Sequence, residues 1–107
     1  KDKEMKTKYG YLPDSQVHSN ETDLVNRIFS LLPAKEGNAE DLDYMFDIVL
    51  SRVKGLSVIL HDPPELITVM SYLEAARTET QFKLYRKAIL YSCSTVQRLV
   101  NGGDSNA

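Results

Sequence analysis

Residues 78–100 read TETQFKLYRKAILYSCSTVQRLV, and the period of that run decides what the remaining chain can be. Phe82, Tyr85, Ile89, Cys93, Val96 and Val100 recur at steps of three and four, which places them on one stripe of an α-helix, and Leu99 widens the stripe at its end. Thr78 with Gln81 three residues on has the form of a capping box, and Asn101-Gly102-Gly103 offers a left-handed stop. A helix of about 22 residues is roughly 33 Å long, as long as a small domain is wide. The opposite face carries Lys83, Arg86, Lys87 and Arg98, with only Glu79 against them. The expected element is a core-spanning helix with a basic face turned outward.

Working outward, the preceding segments follow the same helical period. Asn20 reads as the cap of a first helix, with Glu21 and Asp23 in the first turn, where the helix dipole favours acids. Leu24, Ile28 and Leu31 form its row, with Val25, Phe29 and Leu32 beside it, and Pro33 is expected to stop it ahead of a loop over 34–37. Asn38 is expected to cap a second helix on Leu42, Met45, Phe46, Val49 and Val53, ended by Gly55. Residues 56–60, LSVIL, have strand-like composition but no second strand to pair with, so a buried turn or a single helical turn is expected. Asp62 then reads as a cap, with Pro63 and Pro64 opening a helix to about Ala76 on Leu66, Val69, Met70 and Leu73; Ile67 and Tyr72 lie off that row. Residues 1–19 show no apolar period and are too polar to repay the entropy of ordering, which predicts a flexible linker or arm. The expected fold is all-α: a compact single-domain bundle of four main helices over 20–101 plus a short turn segment, with a disordered tail over 102–107.

A chain of 107 residues, 42% hydrophobic and 26% charged, fits one soluble globular domain with one core. No apolar run approaches the ~20 residues needed to span a bilayer. A single cysteine excludes an internal disulfide framework, which favours a reducing compartment. Net charge is only -2, but it is unevenly spread. Between Asp14 and Asp47 eight acids (Asp14, Glu21, Asp23, Glu36, Glu40, Asp41, Asp43, Asp47) face two bases, Arg27 and Lys35. Between Arg77 and Arg98 five bases face one acid. Such a split either orients a charged partner or is neutralised between neighbouring helices.

Catalytic patterns are absent. His18, His61 and one cysteine match no familiar zinc spacing, and Cys93 sits on the buried stripe, where a thiol behaves as a small hydrophobe. His61-Asp62 has the chemistry of an acid–base pair, but loop and cap roles explain both residues. Glu40, Asp41, Asp43 and Asp47 lack the alternation and glycine of a calcium loop, and no glycine-rich phosphate loop occurs. No enzyme, cofactor or metal is expected. Direct DNA readout would need bases at the start of a recognition helix, where Thr78-Glu79-Thr80-Gln81 stands instead. RNA stacking would need exposed aromatics among the bases, and Tyr85 is on the buried row. An acidic, partly apolar segment of a protein partner suits the basic face better.

Residues 43–101 also resemble the C-terminal domain of rhabdovirus phosphoproteins, the lyssavirus form above all. The features that carry this are FDIVLSRVKGLSVILHD (46–62) with Asp47-Ile48-Val49 and Gly55, the His61-Asp62 pair, VMSYLEAA (69–76) with a central aromatic, and QFKLYRKAILYSCSTVQRLVN (81–101). The resemblance implies a non-enzymatic polymerase cofactor that tethers the viral RNA polymerase to the nucleocapsid. It would bind an acidic flexible loop of the nucleoprotein in its complex with RNA, not RNA itself. It implies a basic patch beside a small hydrophobic hole. Tyr72 takes the position of the family's tryptophan, Val69 and Val96 supply hole walls, and Arg77, Lys83, Arg86 and Lys87 supply the charge. The polymerase itself would be reached through other parts of a longer chain. A monomeric isolated domain, no membrane contact, and residence in host cytoplasm and virion are the corresponding expectations, with a plant-infecting branch as a candidate source. The start without an initiator Met reads as a boundary inside a longer protein, and GGDSNA reads as a natural C-terminus. The alternative is a helical interaction or oligomerisation module of a cellular protein, self-contacting through Leu66, Ile67, Tyr72 and Tyr91.

Overall fold

The structure, a computed structural model, describes the backbone of residues 4–7 and 10–105 and the side chains of residues 19–99. Its body is an all-α bundle of four long helices and one short one: α1 (Asp14–Phe29), α2 (Leu31–Glu36), α3 (Leu42–Ile59), α4 (Pro64–Thr78) and α5 (Phe82–Ser105). Ahead of the bundle, in the stretch expected as an arm, β1 (Glu4–Thr7) and β2 (Gly10–Pro13) pair as an antiparallel hairpin with Met5 opposite Leu12. Helix α4 packs chiefly on α5 and α3, and α5 also lies along α1.

The core takes one row from each helix: Leu24 and Ile28; Leu31; Phe46, Val49, Val53 and Leu56; Leu66, Val69, Leu73 and Ala76; Tyr85, Ile89, Cys93 and Val96. Tyr85 joins three elements. Its hydroxyl donates to the Leu31 carbonyl at 2.7 Å, and its ring meets Phe46 edge-on with centroids 6.1 Å apart. Burial pushes the Tyr85 phenol up to about 12.

Several helix ends differ from the sequence expectation, each for a local reason. Helix α1 begins at Asp14, six residues before Asn20. Pro33 does not stop a helix but sits in the first turn of α2, where its missing N–H leaves no bond unmade; the break falls at Ser30. Asn38 closes α2 instead of opening α3. It adopts φ 54°, its N–H bonds the Lys35 carbonyl at 3.1 Å, and Ala39 N–H bonds Ala34 at 2.8 Å, the pattern of a left-handed C-terminal cap. The same motif ends α3. His61 takes φ 65°, and Asp62 N–H reaches back to the Ser57 carbonyl at 2.7 Å.

Asp62 thus closes α3, accepting from Ser57 Oγ at 3.1 Å, while Pro63 is the cap of α4. Gly55 is therefore passed over, and residues 56–59 continue the helix. At α5 the expected Thr78–Gln81 box is absent: Thr78 is the last residue of α4, and the Glu79 carboxylate accepts the Gln81 N–H at 3.0 Å. The glycines at 102 and 103 lie within α5, which continues to Ser105 through the stop and tail expected there. Phe82, placed on the buried stripe by its spacing, stands at the first turn with 36% of its surface exposed and stacks on Tyr85.

Candidate functional site

Once Tyr85, Ile89, Cys93 and Val96 face inward, the 3.6-residue period fixes what faces outward on α5. Lys83, Arg86, Lys87, Leu90, Tyr91 and Ser94 border a shallow depression of about 520 Å³. All six belong to one helix, so the feature is a trough between splayed side chains and not a cleft between elements. It is cationic over its first two turns and apolar further along, at Leu90 and Tyr91. Tyr91 is 49% exposed, and its ring stacks on Tyr72 of α4 with centroids 5.7 Å apart and planes 26° from parallel. Lys87 Nζ lies 5.9 Å from the Tyr91 ring centre, within cation–π range. Among the described residues no ion pair engages Lys83, Arg86 or Lys87.

Arg77 is different. Its Nε donates to Asp43 Oδ1 at 2.7 Å, and its Nη2 donates to Asp47 Oδ1 at 2.7 Å and to the Asp43 carbonyl at 3.1 Å. The guanidinium bond holds the Asp43 carboxyl below its usual value, and the two carboxylates raise Arg77 above its own. Arg77 thus joins α4 to α3, while Lys83, Arg86 and Lys87 remain together on α5.

Val69 and Val96, expected to wall a surface hole, are fully buried in the core, because both lie on the inner rows of their helices. No hole opens between them; Tyr72 is half-buried under Tyr91 instead. Leu66, suggested as a self-contact residue, is likewise fully buried. Leu90 and Ser94 were not anticipated at this face. Their signal is the spacing itself, since 83, 87, 90 and 94 trace one line along a helix.

No protein-family model matches the chain. No curated protein and no solved structure matches it either. The likeness to rhabdovirus phosphoproteins accordingly rests on the sequence motifs alone.

Elsewhere, burial pushes the Cys93 thiol up to about 11, and its sulfur lies 3.7 Å from the Val25 carbonyl, a packed and unreactive setting. His61 and Asp62 are exposed on the α3–α4 turn. Among the described residues, no group of three or more His, Cys, Asp or Glu is placed to hold a metal ion. None of the described helices is long and apolar enough to cross a membrane.

Proposed function

We propose that this domain is a non-enzymatic docking module whose α5 trough binds an acidic, partly apolar protein segment. The single observation that carries the reading is the cation trio Lys83, Arg86 and Lys87, engaged in no ion pair among the described residues and set beside the Tyr91–Tyr72 stack. Three long cations within little more than one helical turn attract carboxylates and steer their approach, while Leu90 and Tyr91 offer a surface for an apolar anchor. Combined with the motif resemblance, the partner is the nucleoprotein of a rhabdovirus in its complex with RNA. The role is then to hold the viral polymerase on its template, in host cytoplasm and virion. Direct RNA binding is disfavoured: Tyr91 is the one aromatic that lines the trough, whereas stacking successive bases calls for several.

The test is co-sedimentation with nucleoprotein–RNA rings. Lys83→Glu/Arg86→Glu/Lys87→Glu is expected to abolish binding while the circular dichroism stays that of wild type. Undiminished binding by the triple variant would sink this reading. The alternative, an oligomerising module, draws on Ile67, which is 52% exposed on α4. It predicts a concentration-dependent dimer in light scattering, whereas the docking reading predicts a monomer.

A further inference from the structure

A second feature shares no residue with the α5 trough and is left unused by the proposed function. Helices α1 and α3 border a groove containing two depressions. The larger, about 260 Å³, has Leu24, Leu56 and Ile59 as its apolar lining and Gly55 among its walls. The smaller, about 60 Å³, is formed by Arg27, Ser30, Met45, Ile48 and Val49. A charged bridge crosses between them. Asp23 Oδ2 accepts from Arg27 Nε at 3.0 Å and from Arg52 Nη1 at 3.2 Å.

Two guanidiniums share one carboxylate oxygen, so the described charges of the bridge sum to an excess of one positive. Each arginine makes a single hydrogen bond there, and its other N–H donors have no acceptor among the described residues. Gly55 adds an independent sign. It lies inside α3, where glycine is a poor helix former, yet a Cβ built on it meets no atom within 4 Å. Nothing among the described residues requires the missing side chain, whereas a neighbouring backbone approaching this wall would.

We infer that the α1–α3 groove docks one amphipathic helix of a protein partner, with apolar anchors on either side of the Arg27–Asp23–Arg52 bridge and a carboxylate between them. The spacing follows from α3. Ile48 and Gly55 are seven residues apart, about 10 Å along a helix, so anchors at i and i+7 enter the two depressions. The acid then falls at i+3 or i+4, over the guanidiniums. The larger depression takes a leucine-sized anchor and the smaller one a valine. This site goes beyond the nucleocapsid reading and stands or falls separately from it.

The test uses the full chain and a synthetic helical peptide of about 18 residues carrying Leu and Val seven positions apart with Glu four after the Leu, followed by amide chemical shifts. Shifts are expected at Asn20, Leu24, Ile48, Gly55 and Ile59. A Glu→Lys peptide is expected to bind at least about tenfold more weakly, since it sets a third cation over two arginines. Gly55→Phe puts a large side chain on the wall of the larger depression, where a Cβ has open space among the described residues, and replaces a poor helix former, so it is expected to melt at or above the wild-type temperature and to lose the peptide. Absent shifts at millimolar peptide, shifts confined to α5, equal affinity for the Glu→Lys peptide, or full binding by folded Gly55→Phe would each overturn the inference. Lys83→Glu/Arg86→Glu/Lys87→Glu is expected to leave the peptide bound, which separates failure here from failure of the α5 reading.

Discussion

At the seam between α3 and α4, Arg77 is held by Asp43 and Asp47; along the outer face of α5, Lys83, Arg86 and Lys87 make no ion pair among the described residues, and Lys87 lies only over the Tyr91 ring. All four lie within eleven residues of sequence and look alike there. What separates them is the element across from each. Asp43 and Asp47 are one turn apart on α3 and converge on a side chain at the end of α4, so their charge neutralises an arginine internally. Among the described residues, all that line the α5 trough belong to α5 itself, and its three cations stay outside any ion pair. The dipolar split of the sequence is thus neutralised internally at Arg77, while the bases of α5 face outward.

That contrast depends first on the rotation of α5, which Tyr85 fixes. Tyr85→Ala removes a fully buried ring and leaves the Leu31 carbonyl without its donor, and is expected to cost about 3–5 kcal/mol in urea melts. Phe82→Ala, one turn earlier on the exposed side, is expected to cost under about 1 kcal/mol. Similar losses for both would mean the helix is turned so that Phe82 shares the core.

The smallest expected effect is at the seam. Arg77 depresses the Asp43 carboxyl, so this contact adds stability above the ordinary carboxylate range, and that stability is lost as pH falls through the lowered folded value. Arg77→Gln is therefore expected to melt slightly below wild type at neutral pH, with the gap closing in acid. Parallel melting curves from neutral pH down to about pH 2 would show the clasp to be energetically silent.

The sequence was most legible where the period was long. Every core row of α3, α4 and α5 follows the three-and-four spacing, because burying a continuous apolar stripe needs nothing but the helix itself. Helix ends were less legible. Asn38 and Asp62 are good N-cap residues by type, yet both complete left-handed C-terminal caps of the preceding helix. The same residue types serve both ends, and only the direction of the backbone bonds separates the two. At the trough, Lys83, Arg86 and Lys87 were legible from spacing. Arg77 was not, since its partners lie 30 and 34 residues away on another helix. Val69 and Val96 were carried by resemblance to a tryptophan-centred hole, and with Tyr72 covered by Tyr91 their buried rows take precedence.

The most direct measurement of the proposed docking face is an amide line-broadening map of the labelled domain during titration with nucleoprotein–RNA rings. Broadening concentrated on Lys83 through Ser94, with Tyr72 included, is the expected result. Broadening centred on Arg77 and the acidic turns of α3, with residues 83–94 unaffected, would contradict it.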